Sequence, residues 1–185
     1  PMAVRTAIGY VAQSGGVAPE ETVRAELTLQ ARMYRLPKGE AIARTEELAM
    51  DLDLTELLDR KCSELSGGQR RRLDIAMALT HRPRILFLDE PTTGLDPGSR
   101  ADVWDLIRRI RAENGTTVFL TTHYLDEADA LADRLIIVDG GRIVAEGTSA
   151  ELKTRYAGSP DATLQDTFIA ITGRGPKKEE NPAPV

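Results

Sequence analysis

Asp89 and Glu90 follow an apolar run, Ile85 to Leu88, in the string RILFLDE. A run with almost no polar residue suits a parallel strand buried on both faces. Its end then lies at the carboxyl edge of a sheet, where open α/β sheets bind ligands. Two adjacent acids at that edge can divide labour. One carboxylate can hold Mg²⁺, directly or through water, because Mg²⁺ takes few carboxylates and keeps several waters. The other can polarise an attacking water. An isolated Asp-Glu after a strand is otherwise an ordinary solvated turn, so the pair gains meaning only from its surroundings.

Leu65 to Gln69 reads LSGGQ. Taken alone it is a helix cap, with Ser66 at the cap and Gln69 as the return partner of a capping box. Yet two glycines in a first helical turn cost about 1 kcal/mol each against Ala. They also leave backbone amides bare at the positive end of a helix dipole, where a phosphate can bind. Ser66 can serve as cap and anion ligand together. PTTGLDP follows the acids, and Asp96-Pro97 within it is a standard helix entry. His123, after TVFLTT, reads by itself as a structural histidine at a strand end, and Gln13, after IGYVA, as a polar loop residue. Arg70, Arg71 and Arg72 lie on successive helical positions and cannot all face one way, so they read as solvated or ion-paired.

The elements that must position these residues alternate. Ala7 to Ala12 reads as a strand, followed by a Gly15-Gly16 loop. Glu20 to Arg35 has a helical pattern with Val23, Leu27 and Met33 near one stripe, ended by Pro37. A helix over Lys38 to about Leu52 and a short segment over Leu54 to Leu58 complete a helical block. Then come a helix from Gly67 to Thr80, the strand Arg84 to Asp89, and a helix from Gly98 to Glu113 stopped by Asn114-Gly115. A strand over Thr116 to Thr121 and a helix over Tyr124 to Ala132 follow. Leu135 to Gly147 is a hairpin signal around Asp139-Gly140-Gly141. Thr148 to Glu151 forms a capping box opening a helix to about Tyr156, and a last helix covers Thr163 to Ile171. Gly173 to Val185 is rich in Pro, Gly and charge and is expected to be disordered. Helices alternating with strands argue for a parallel sheet with helices packed around it.

The bulk numbers set bounds. The 185 residues suffice for one domain with a core. Aromatics are only 4%, so the core must be aliphatic. A net charge of -5 argues against a nucleic-acid or anionic-membrane surface as the main partner. Cys62 is the single cysteine, so no internal disulfide forms and a reducing compartment fits. No apolar stretch approaches the roughly 20 residues that span a bilayer.

Together and in this order, the motifs resemble the nucleotide-binding subunit of ABC transporters. GYVAQ is similar to the Q-loop, LSGGQRRRLDIAMAL to the signature, and RILFLDE to the Walker B strand. PTTGLDP is similar to the D-loop and TTHYLDEAD to the switch-histidine segment. RLIIVDGGRIVAEGTSAEL and TLQDTFIAITG resemble the subgroup that serves type-2 exporters, including daunorubicin-resistance-like drug exporters. The resemblance implies a P-loop NTPase-like (RecA-like) parallel sheet with helices, incomplete, plus an inserted helical subdomain. It implies a partial ATPase domain over 1–172, with the helical subdomain at about 20–60, the C-terminal hairpin and helices at about 134–172, and a tail at 173–185.

Roles follow residue by residue from the resemblance. Asp89 would organise Mg²⁺, and Glu90 would be the general base. His123 would contact the γ-phosphate and position the water. Gln13 would touch Mg²⁺ and relay its presence to the membrane subunit. Ser66, Gly67 and Gly68 would cap the γ-phosphate of ATP held by the opposite subunit, with Gln69 completing the motif. Asp96 would sit in the dimer seam. The implied partners are a membrane-spanning permease and a second ATP-binding subunit, with no nucleic acid. The implied place is cytoplasmic, peripheral on the inner face of the cell membrane.

One family feature is missing. No G-x-x-x-x-G-K-[ST] occurs, and none of Lys38, Lys61, Lys153, Lys177 and Lys178 stands in that arrangement. In the family this phosphate loop lies upstream of the Q-loop strand, so the chain is expected to be the C-terminal portion of a subunit and inactive alone. The family's phosphate-loop strand would sit between the strands Thr116–Thr121 and Leu135–Asp139, leaving two edges here without it. A soluble ABC-class ATPase of repair or translation type is the alternative. Repair enzymes of that kind insert a long coiled coil, but only 52 residues separate Gln13 from Ser66. Translation factors of that class usually carry two cassettes.

Overall fold

The computed structural model describes residues 2–173. The tail beyond Gly173, expected from its composition to be disordered, lies outside the described residues. The chain divides into two compact units, Pro1–Thr121 and Thr122–Val185.

The first unit opens with a six-residue helix, α1 (Met2–Ala7), and enters strand β1 (Ile8–Val11). Helices α2 (Val23–Met33) and α3 (Lys38–Asp51) form the helical block. The expected start of α2 at Glu20 is corrected to Val23, because the Thr22 hydroxyl accepts from the Ala25 N–H and fixes the cap there. Its end is set by Arg35, which has φ 68, just before Pro37. The buried stripe of α2 is Val23, Leu27 and Ala31, at i, i+4 and i+8. Met33, expected on that stripe, is 70% exposed: it sits six positions from Leu27, about 120° around the helical wheel and off the buried stripe. Single 3₁₀ turns at Thr55–Leu57 and Cys62–Glu64 lead to α4 (Gly67–Leu79). Strand β2 (Ile85–Asp89), helix α5 (Pro97–Asn114) and strand β3 (Thr117–Thr121) complete the unit.

The three strands form a parallel sheet in the order β1-β2-β3. Ile8 pairs with Ile85, Val11 with Leu88, and Asp89 with Thr121. Helix α4 packs on β1 and on α5, and α5 packs on β3. The face of β2 carrying Leu86 and Leu88 is buried, at 0% and 1% exposure. The other face is not, which corrects the expectation of a strand buried on both sides. Tyr10, Phe87 and Phe119 stand in register across it, with Tyr10 61% and Phe119 48% exposed. An unalternating sequence therefore records the apolarity of both faces, not the coverage of both.

Arg44 of α3 is buried and donates to the carbonyls of Leu79 (2.7 Å) and Thr80 (3.2 Å), satisfying the C-terminal end of α4. It locks the helical block to the helix that begins at Ser66. Asp53 adds ion pairs to Arg109 of α5 at 3.0 Å and Arg72 of α4 at 3.8 Å.

The second unit contains α6 (Leu125–Leu131), the antiparallel hairpin β4 (Leu135–Asp139) and β5 (Arg142–Gly147), α7 (Ser149–Ala157) and α8 (Leu164–Thr172). Gly140 and Gly141 have φ 55 and 76, as a type I′ hairpin turn requires. Thr148 and Glu151 form the expected capping box. Ile137, Ala145 and Leu152 make a small core, with Phe168 and Ile171 packed on it. Strands β3 and β4 belong to separate sheets.

Candidate functional site

Asp89 is the last residue of β2, and Glu90 turns the chain away from the sheet. Glu90 does this with φ 44, a left-handed conformation that costs a side-chain-bearing residue about 1–2 kcal/mol. The turn is held by the Glu90 N–H, which donates to the Thr121 carbonyl at 3.0 Å. Such a turn lets consecutive carboxylates take different partners. Asp89 accepts from the Thr121 hydroxyl at 2.5 Å and the Tyr10 hydroxyl at 3.4 Å. Glu90 accepts from the Gln13 side-chain amide at 2.9 Å and the Thr93 hydroxyl at 3.2 Å. The parallel register brings these groups together, because the carboxyl ends of β1, β2 and β3 all open on the same edge. Backbone strain concentrated on a half-exposed acid is a mark of a functional position.

A second cluster surrounds the first turn of α4. The Ser66 hydroxyl accepts from the Gln69 N–H at 3.3 Å, and the Gln69 side chain accepts from the Ser66 N–H at 3.0 Å. Ser66 and Gly67 are exposed, whereas Gly68 is buried. A Cβ on Gly68 would stand 2.8 Å from the Ser99 hydroxyl oxygen and 2.9 Å from Ser99 Cβ. Close packing on α5 thus accounts for the second glycine, and the outward face of the turn is Ser66 and Gly67. Asp96 caps α5, accepting from the Gly98 and Ser99 N–H groups at 3.0 Å each and from the Ser99 hydroxyl at 2.6 Å. The Ser99 hydroxyl bond leads in holding the Asp96 carboxyl below its usual range. Ser99 therefore touches both the signature turn and Asp96.

Gln13, Asp89 and Glu90 are thus brought together, and Ser66, Gly67, Gly68, Gln69 and Asp96 form a separate group through Ser99. His123 belongs to the second unit, two residues past β3, with its ring tilted against Tyr124 at 4.2 Å. Sequence reading missed Tyr10, Thr93, Ser99 and Thr121. For Thr121 and Tyr10 the available signal was their place at a strand end and in register with the acid strand. Arg71, expected to be solvated or ion-paired, is buried, so it is not solvated, and it donates to the Ala12 and Gln13 carbonyls at 2.9 Å each. A cavity of about 810 Å³ adjoins this loop, lined by Tyr10, Ala12, Gly15, Met33, Tyr34 and Asp74 among others.

Among the described residues no group of three or more His, Cys, Asp or Glu side chains could hold a metal by itself. The oxygen donors at the sheet edge nonetheless fit Mg²⁺, which binds through one or two carboxylates when phosphate oxygens complete its shell. Asp89, whose carboxylate accepts from Thr121 and Tyr10, is a carboxylate that could hold it.

The family model described as "ABC transporter" matches residues 2–93. A daunorubicin resistance ATP-binding protein from Streptomyces coeruleorubidus is 49% identical over 156 residues, 84% of this chain and 49% of the relative. A doxorubicin resistance ATP-binding protein from Mycobacterium tuberculosis is 44% identical over 174 residues, 94% of this chain and 50% of the relative. The chain spans about half the length of these curated relatives. A solved structure titled as the ATP binding subunit of an ABC transporter superposes with TM-score 0.75 at 26% identity, covering 93% of this chain and 71% of that one.

Proposed function

The chain belongs to the ABC transporter family, and from that premise we propose that it supplies the hydrolytic half of an ATP-hydrolysing subunit that powers an exporter. Asp89 holds Mg²⁺, Glu90 takes the proton of the attacking water, and Gln13 orients Glu90. The observation that carries this reading is the hydrogen-bonded set Gln13–Glu90 and Asp89–Thr121 at the carboxyl edge of a parallel sheet. When bound, Mg²⁺ would neutralise phosphate charge and favour displacement at the γ-phosphate. His123 serves as the γ-phosphate contact. Ser66, Gly67 and Gln69 face the γ-phosphate of ATP bound to an opposing subunit, with Gly68 packed behind them, and Asp96 stands in the seam between the two subunits.

The helical block, α2 and α3, docks on a membrane-spanning partner and keeps the subunit at the inner face of the membrane. No helix among the described residues is long and apolar enough to cross a membrane. The drug-resistance names of the relatives support a drug-like cargo for that partner.

The 185 residues include no glycine-lysine phosphate loop. Without its backbone amides and lysine, the β- and γ-phosphates lose most of their positive surroundings. The chain alone is therefore expected neither to bind Mg-ATP tightly nor to turn it over. Fused behind the amino-terminal half of the Streptomyces relative, it should hydrolyse ATP, and Glu90→Gln should lower kcat by roughly 10²–10⁴-fold. Phosphate release measured on both proteins checks this. Turnover by the isolated chain that Glu90→Gln abolishes, or a fusion indifferent to Glu90→Gln, would overturn it.

A further inference from the structure

Helix α4 is capped by Ser66 and, in its second turn, presents Arg71 and Asp74 to the loop that carries Gln13. Arg71 is 7% exposed, and a buried guanidinium needs partners. Its Nη1–H donates to the Ala12 carbonyl and its Nη2–H to the Gln13 carbonyl, each at 2.9 Å. Asp74 lies three residues on, on the same helix face. Its carboxylate faces Gly15, where a Cβ would meet Oδ2 at 2.9 Å, and the neighbouring Gly16 backbone favours its ionised form. Gly15 has φ +58, so both conformation and space favour glycine there. The loop's own backbone adds a long bond, Gly15 N–H to the Ala12 carbonyl at 3.4 Å. Two of its carbonyls are thus held by a cation and its glycine backbone lies against an anion, both from α4. The side chain of Gln13 leaves in another direction, to Glu90 at 2.9 Å.

We propose that Arg71, supported by Asp74, is a positioning residue: through these two side chains α4 fixes the backbone of Ala12 to Gly16 and thereby sets Gln13 against Glu90. Its importance for catalysis rests on the reading of Glu90 as the base. The geometry demands arginine, since a planar guanidinium spans two carbonyls and an ammonium is a single point charge. It also puts the signature turn and the anchor of Gln13 on one rigid helix.

The test is NMR on the 185-residue chain without nucleotide, reading solvent exchange of the Gln13 Nε2 protons and of the Gly16 amide. Glu90→Ala should accelerate Nε2 exchange by removing its acceptor. Arg71→Met should accelerate it by roughly tenfold, the scale of one lost net hydrogen bond, although Arg71 does not touch that side chain. Arg71→Lys should recover part of the protection. Asp74→Asn should release the Gly16 amide. Amides of α5 report whether the fold is intact. If Arg71→Met does not fold, Arg71→Lys and Asp74→Asn carry the same reading. Nε2 exchange unchanged in every folded Arg71 variant, or unchanged in Glu90→Ala, would overturn the proposal. Nucleotide enters none of these measurements, so a failure of the ATP reading leaves their outcome standing, and the reverse.

Discussion

Glu90 shows how one residue's backbone shapes a site. Its left-handed φ turns the carboxylate away from the line of β2, toward Gln13 and Thr93, while Asp89 stays with Thr121 and Tyr10. The glycines of the signature turn divide labour in a comparable way. Gly67 lies at the surface, whereas Gly68 permits the approach of Ser99. Gly68→Ala is expected to destabilise the chain by about 1–3 kcal/mol, as overpacking does, because its Cβ meets side-chain atoms fixed at the start of α5. Adding Ser99→Gly should recover much of that loss, since the clash is with the Ser99 side chain. Denaturant titration of the single and double variants checks it. A loss that Ser99→Gly leaves untouched would mean that helix propensity, and not packing, explains the glycine.

At the scale of elements, His81 joins three of them. It follows the C-terminal end of α4, its ring stacks on Tyr34 at the end of α2 at 3.8 Å, and its Nε2–H donates to the Ile8 carbonyl of β1 at 3.0 Å. Burial disfavours the imidazolium, the Ile8 carbonyl opposes this, and the nearby Arg44 charge adds to it. The net effect lowers the pKa below the usual 6.5. Between the lowered value and 6.5, the unfolded chain binds more protons than the folded one, so stability rises with pH there. The stability present above 6.5 is therefore lost as pH falls through the folded pKa. The denaturation midpoint should drop as pH falls below about 6.5, and His81→Gln should flatten that drop. An equal drop in both proteins would assign the pH dependence to other groups.

Across the whole molecule, each unit leaves apolar sheet surface uncovered. Tyr10 and Phe119 are exposed in the first unit, and Ile136, Val138 and Ile143 in the second, at 48%, 58% and 63% for the last three. Exposed apolar strands and free sheet edges promote association. The chain is expected to self-associate with increasing concentration, and Phe119→Lys with Ile143→Lys to reduce this. Light scattering after size exclusion checks it; a monomer at all concentrations would contradict it.

Much of this was legible in the residues. The caps at Ser66, Asp96 and Thr148, the turn at Gly140-Gly141 and the order of helices and strands follow from local rules, because caps and turns are satisfied within a few residues. The acid pair was legible for the same reason: strand ends are local. What the sequence could not carry was contact between distant segments. Arg71 and Arg70 look alike in the string, yet only Arg71 grips Gln13, because the packing of α4 on β1 selects one helix face. Nor could apolarity reveal that Phe87 and Phe119 stay partly uncovered. Residue types and short spacings determined which chemistry is possible here. Register and helix packing decided which side chains meet to perform it, since a hydrogen bond over 77 residues of separation exists only once the sheet has formed.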